Sequence, residues 1–366
     1  MVFTVDCDVH VNDTPGALAP YCDLPWRHSL EDLDGANYPY LQIPGFAPNF
    51  RLDPPIRGMH PYRSVNTARE MREELTEIGV DVGILFPDHL LLFAAIPHPE
   101  YALFLSRAYN RWLLDRWLRD EPGLYGALLA CPQDPEGSAR DIEEFAREDR
   151  IVAIYLPTAG VNPLWGHRRY DPIFAAAEAA DLPVVLHSVT IVSPVFPCQL
   201  EQFENHFARQ MLGHSFAMMA NLVSIMHTGV PARFPNLRIV FTEAGIAWAP
   251  YMKWRLDKYY HEYRRMVPVL ERRPSEYMSE RIWVSTQPIE EPDDPSHLVE
   301  TIRHIGEDRV VFASDWPHHD FDHPRALLRL PMPQDLKRKI MGENALRVFT
   351  RIPAPSAVGA DSEERA

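Results

Sequence analysis

Eight short runs of apolar, often β-branched residues recur along the chain, each followed by a loop and a longer stretch of helical periodicity. The runs are residues 3–9 (FTVDCDV), 80–86 (VDVGILF), 124–130 (LYGALLA), 151–156 (IVAIYL), 183–186 (PVVL), 238–242 (RIVFT), 282–285 (IWVS) and 310–313 (VVFA). Helical patterns lie between and after them at 66–78, 101–119, 138–148, 170–180, 199–226, 248–269, 295–305 and 334–340. Strands this apolar are buried on both faces, and parallel strands need crossover connections, usually helical. Eight such alternations predict an α/β fold of the (β/α)8 TIM-barrel type. A doubly wound open sheet is the rival. No GxGxxG follows the first run, so a dinucleotide-binding reading has no support.

Length alone, 366 residues, would suggest two domains. The alternation instead assigns residues 1–352 to a single barrel with two long insertions, about 11–65 after strand 1 and 188–235 after strand 5. Insertions on this side of a barrel usually shape the active-site mouth. Both are rich in aromatic residues, including Tyr21, Trp26, Tyr38, Tyr40, Phe46, Phe50, Tyr62, Phe196, Phe203 and Phe207. Such residues suit the apolar wall of a pocket for a small, partly aromatic substrate. They equally suit a local core or a subunit contact, which leaves a homodimer open. Residues 353–366 (PAPSAVGADSEERA) are low in apolar residues and read as a disordered tail.

The formal charge of −15 argues against nucleic acid and anionic membranes as partners, because both need a basic face. The cysteines, Cys7, Cys22, Cys131 and Cys198, form no CxxC and fit a reducing compartment. The start, MVFTVDCDVH, has no apolar core of a signal peptide, and the longest apolar run, Leu90 to Ile96, is far too short to span a bilayer. A cytoplasmic protein is expected.

Polar residues gather where the strands end. Residues two apart on a strand share a face, so Asp6, Asp8 and His10 project together, with Asp6 deeper and structural. His187 closes PVVLH, Glu243 closes RIVFTE and Asp315 closes VVFASD. Singly, each is an ordinary strand-end polar group. Jointly, Asp8, His10, His187, Glu243 and Asp315 bring nitrogen and oxygen donors to four strand C-termini, where barrel enzymes keep their chemistry. The mixture suits a divalent ion, Zn²⁺ first and Mn²⁺ or Fe²⁺ as alternatives, and is too nitrogen-rich for a calcium cage.

These residues sit in stretches that resemble the amidohydrolase-related, metal-dependent barrel family that includes aminocarboxymuconate-semialdehyde and resorcylate-type decarboxylases. The stretches are DCDVH (6–10), LTEIGVDVGILFP (75–87), DLPVVLHS (181–188), GVPARFPNLRIVFTEAGIAW (229–248), RPSEYM (273–278), ASDWPHHDFD (313–322) and KIMGENALRVF (339–349). The resemblance implies Asp8, His10, His187 and Asp315 as metal ligands, with Asp315 also moving a proton. No lysine ends strand 4 to bridge a second ion, so one metal is expected. Glu243 departs from the family's decarboxylases, which carry His in a stretch resembling HGG. A carboxylate does not replace a proton-donating imidazolium near neutral pH. That departure tilts the expectation toward a metal-dependent hydrolase of a small organic substrate. The alternative is a non-oxidative decarboxylase using the same site, and a non-catalytic binding protein is a remote third.

Further residues fill out the expected site. His318 matches the family's SDxPH and is expected near substrate, whereas the adjacent His319 is assigned to packing. His206 and His214, eight residues apart on the helix after strand 5, could share a face at the mouth, or be solvated. Trp248 walls the pocket or packs its helix. His227 reads as a helix-end residue, and Arg255, Asp257 and Lys258 as a solvated face. Arg51, Arg57 and Arg63 are the candidates for gripping a substrate carboxylate.

Overall fold

The structure is a computed structural model that describes residues 2–33, 38, 65–188, 200–203, 206–318 and 320–355. Its strands are β1 (Val5–Val11), β2 (Val82–Pro87), β3 (Leu124–Leu129), β4 (Ile151–Pro157), β5 (Val184–His187), β6 (Ile239–Thr242), β7 (Ile282–Ser285) and β8 (Val310–Val311). They pair in parallel in the order of the chain, β1 through β8. The ring is completed backbone to backbone: Cys7 donates to the Phe312 carbonyl at 3.0 Å, His10 to Trp316 at 2.8 Å, and Asp315 to Asp8 at 3.0 Å. The expected eight-stranded barrel is therefore the observed fold.

Every residue of the eight strands is buried, which is why β2 to β8 read as largely apolar runs, whereas β1 alternates apolar residues with Asp6, Asp8 and His10. Most ends shift by one residue, β2 starts at Val82 rather than residue 80, and the first and last strands move most. The first strand begins at Val5 rather than residue 3 and runs on to Val11, carrying His10 within it. The last strand stops at Val311, because residues 312–316 reach β1 through single bonds rather than a regular ladder.

Local sequence fixes the helices that pack around the ring. Thr67 and Glu70 form a reciprocal cap at the start of helix Ala68–Ile78, and Gly79, at φ 87°, ends it in the left-handed region. Helices Pro99–Arg116, Pro135–Phe145 and Asp171–Ala179 each begin with proline in the first turn, where its missing N–H costs nothing. After β5 the described chain forms one long helix, His206–Thr228.

Between β1 and helix Ala68–Ile78 the described residues form two short helices, Pro15–Leu18 and Trp26–Glu31. Arg51, Arg57, Arg63, Tyr40, Phe46, Phe50, Tyr62, Phe196, Cys198, His319 and the tail from 356 lie outside the described residues. Among the described residues, no helix is long and apolar enough to cross a membrane.

Candidate metal centre

Parallel register sets the height of each polar residue at the open end of the barrel. His10 pairs with Phe86 across β1–β2, and His187 pairs with Thr242 across β5–β6. Glu243 lies just past β6 and Asp315 in the irregular segment after β8, and both hold left-handed backbones, with φ 59° and 63°. That conformation costs a residue with a Cβ about 1–2 kcal/mol. Such strain persists where surrounding bonds over-determine it. Here Glu243 N–H donates to Ser285 Oγ at 3.3 Å and Asp315 N–H to the Asp8 carbonyl. Gly245, at φ 65°, completes the β6 turn, where a Cβ would come 2.5 Å from Glu290 Oε1. Glu290 in turn accepts from the Ile246 and Ala247 N–H groups that open the next helix.

Asp8, His10, His187 and Asp315 converge at this end of the barrel, all fully buried as side chains. His10 Nε2 lies 3.2 Å from Asp8 Oδ1 and 2.9 Å from Asp315 Oδ1, and His187 Nε2 lies 3.3 Å from Asp8 Oδ1. Their other atoms are occupied. His10 Nδ1 faces the Pro87 carbonyl at 2.7 Å and His187 Nδ1 the Ser188 carbonyl at 2.6 Å. A carbonyl only accepts, so each Nδ1 carries the hydrogen and a neutral ring presents a bare lone pair at Nε2. Asp8 Oδ2 accepts from Thr242 Oγ1 at 3.1 Å, and Asp315 Oδ2 from Gln287 Nε2 at 3.2 Å. Asp8 Oδ1, His10 Nε2 and His187 Nε2 make no hydrogen bond.

Lone pairs gathered around a buried point call for a cation at that point. Asp8, His10 and His187 offer one group of mutually close ligand atoms and His10, Asp315 and His318 an overlapping one, and this nitrogen and carboxylate mixture, braced by carbonyls, a hydroxyl and an amide, fits a divalent ion. The proton affinities agree. Burial disfavours charge on His10, but Asp315 and Asp8 outweigh it and raise the imidazole well above its ordinary value. Burial likewise opposes ionisation of Asp8, yet His187 and His10 pull it below the carboxylate range.

Glu243 behaves oppositely. Burial, then the negative fields of Asp315 and Asp8, raise its carboxyl well above the ordinary value. It lies between two histidines: Oε2 is 3.2 Å from His187 Nδ1, and Oε1 is 3.7 Å from His214 Nδ1. His214 is buried against this turn, its Nδ1 2.9 Å from the Glu243 carbonyl. His206 opens the same helix, but its side chain lies outside the described residues. Trp248 sits between its helix and β6, its indole N–H on the Gly245 carbonyl at 3.0 Å and its ring edge-on to Phe241.

His318 is half of a contact that the sequence reading missed. Its ring stacks on His10 at 4.2 Å, with Nδ1 2.6 Å from Asp315 Oδ1 and Nε2 3.2 Å from Asp88 Oδ1. Burial lowers the proton affinity of His318, but Asp315 and Asp88 overcome it and lift the imidazole to about 9. Asp88 had a legible signal, since it closes the apolar run of β2 as His187 closes β5. Its loop is braced by Asp13, whose buried carboxylate accepts from the Asp88, His89 and Leu90 N–H groups at 2.9, 2.7 and 3.1 Å. Truncating Asp13→Ala leaves those donors unpaired and is expected to cost about 2–4 kcal/mol of stability, measured by denaturant unfolding.

Residues 5–351 match the amidohydrolase family model. Among curated proteins, the gamma-resorcylate decarboxylase of Rhizobium radiobacter is 26% identical over 274 residues, covering 70% of this chain and 79% of that one. Among solved structures, 5-carboxyvanillate decarboxylase from Sphingomonas paucimobilis superposes with a TM-score of 0.71 at 21% identity, covering 96% of this chain and 99% of that one. A dihydroxybenzoic acid decarboxylase from Polaromonas sp. JS666, with bound manganese and the inhibitor 2-nitroresorcinol, gives 0.71 at 18% identity, covering 97% and 98%. The structural likenesses establish the fold.

The curated relatives overturn the expected hydrolase, because the proteins this chain is similar to are decarboxylases. The error lay in treating Glu243 as an ordinary carboxylate. Burial and the negative fields of Asp315 and Asp8 raise its proton affinity above that of a solvated glutamate, which the residue type alone does not show. With the match running through every strand of the barrel, this chain belongs to the amidohydrolase family.

Proposed function

We propose that the protein is a metal-dependent, non-oxidative decarboxylase of a small aromatic carboxylic acid bearing an oxygen beside the carboxyl group. The observation that carries this is the cluster of bare, buried donor atoms on Asp8, His10 and His187 in a chain whose curated relatives are gamma-resorcylate decarboxylases. In such a reaction Ar–COO⁻ and one proton become Ar–H and CO₂, with no oxidant or reductant.

Asp8, His10, His187 and Asp315 would hold one ion per chain. Manganese is favoured over zinc, since a similar decarboxylase structure carries manganese. When bound, the ion supplies the positive charge that an anionic substrate needs. Among the described residues no Lys or Arg pairs with Asp8, Asp88 or Asp315, so these carboxylates alone would repel such a substrate. Glu243 would deliver the proton to the ring carbon that loses CO₂. Asp315 is held in place by Gln287 and His318, and Asp88 positions His318 from the opposite side. His318, His214 and His206 are proposed to border the substrate, with Trp248 shaping the pocket from behind β6.

The test is a panel of 2-hydroxy- and 2,6-dihydroxybenzoates and 5-carboxyvanillate incubated with manganese- or zinc-loaded protein. Stoichiometric CO₂ release with loss of the carboxylate's ultraviolet absorbance is expected for at least one member. Absence of CO₂ from every member with either metal overturns the reading.

A further inference from the structure

Among the described residues, Tyr155 is a buried polar side chain near this end of the barrel whose chemistry the arrangement above leaves unused. It lies on β4 opposite Val185 of β5, two residues below the pairing of Pro157 with His187, and so beneath the His187 ring. The Tyr155 ring is 5.3 Å from that of His187 and 5.6 Å from that of Phe86, and the residue is 0% exposed. Its hydroxyl is buried and makes no hydrogen bond. Burial raises its proton affinity, and the next contributions come from Glu243 and then Asp8, which places the phenol within the field of both site carboxylates.

A buried phenol without a partner is unfavourable, and phenylalanine would fill the same space without that cost. The aromatic rings packed on it cannot satisfy it, and the buried hydroxyl of Tyr109 makes no hydrogen bond to it. Phe86 has no polar atom, and His187 commits Nδ1 to the Ser188 carbonyl while Nε2 faces Asp8. Two partners remain, a buried water and a group that arrives with the substrate, and the measurements below separate them.

We propose that Tyr155 is a substrate-binding residue whose hydroxyl donates a hydrogen bond to an anionic oxygen of the aromatic acid seated at the metal centre. This rests on the decarboxylase reading above and extends it. A donor from β4 complements the cation from another side, so two substrate oxygens are held and the ring is fixed relative to Glu243. Because an O–H donor discriminates oxygen from hydrogen, it also selects acids that carry an oxygen beside the carboxyl group.

The test is Tyr155→Phe, compared with wild type in three measurements: metal content, melting temperature of the metal-loaded protein without ligand, and affinity for 2-nitroresorcinol by calorimetry. Metal content is expected to stay at one ion per chain. The melting temperature should hold or rise, because no bond is lost in the unliganded protein. Affinity for 2-nitroresorcinol should fall about ten- to a hundredfold, the usual effect of losing a bond to a charged group.

Unchanged affinity overturns the proposal. A lower melting temperature with unchanged affinity also overturns it, by assigning the hydroxyl to a structural water. If wild type neither binds 2-nitroresorcinol nor releases CO₂ from any panel acid, the decarboxylase reading falls and takes this proposal with it. Binding by wild type and Tyr155→Phe alike removes Tyr155 alone.

Discussion

His187→Ala protein is expected to purify with less than about a tenth of the metal held by wild type and to lose at least ~10³-fold in decarboxylation rate. The argument is geometric. Among the described residues, Asp8 Oδ1, His10 Nε2 and His187 Nε2 form a cluster of buried atoms that no protein hydrogen bond satisfies, and His187 is the β5 member of it. Its partner Asp8 Oδ1 is shared with His10, so removing His187 strips one ligand and frees another to shift. The ring also fills space against Phe86 and Tyr155, and the alanine cavity should lower stability by about 2–4 kcal/mol. Metal analysis separates the two effects. A folded variant, by circular dichroism, that lacks metal supports the ligand role, and chelation of wild type should reproduce its inactivity. Retention of metal and activity in His187→Ala would remove His187 from the proposed ligand set and undercut the reading built on it.

What could be read from the sequence was set by the period of its patterns. Strands buried on both faces announce themselves, so all eight were placed, with β6 and β7 within one residue. The first strand was misplaced by two residues because Phe3 and Val11 are equally apolar and only the ladder to β2 decides between them. The four proposed ligands were legible because each stands in a stretch that resembles the family, and His187 and Asp315 also follow apolar runs closely.

The supporting groups were not legible. Thr242, Ser285 and Gln287 look like ordinary turn residues, and their role depends on β6, β7 and β8 standing side by side. His214 lies on a helix after β5, and no periodicity states that its ring meets the β6 turn. The chemistry of Glu243 was the largest loss. Its residue type was visible, but its protonation depends on burial and on two carboxylates far away in sequence, both of which appear only in the folded chain.

That dependence makes Glu243→Gln the most informative single substitution for the reaction. Gln keeps the shape and a carbonyl oxygen but carries no transferable proton. If Glu243 delivers the proton to the ring carbon, decarboxylation should fall about 10²–10⁴-fold, the usual range for removing a general acid. The loss should appear in kcat, because the proton moves only after the substrate is seated. Metal content should stay near one ion per chain, since Glu243 lies outside the four proposed ligands and faces His187 through Nδ1, away from Nε2. Stability should not fall, because a neutral amide replaces a carboxyl whose ionisation burial and like charges oppose. Binding of 2-nitroresorcinol should be close to unchanged, which sets this variant apart from Tyr155→Phe. A Glu243→Gln enzyme that keeps wild-type kcat would assign proton delivery elsewhere, with Asp315 the next carboxyl in line at 2.6 Å from His318.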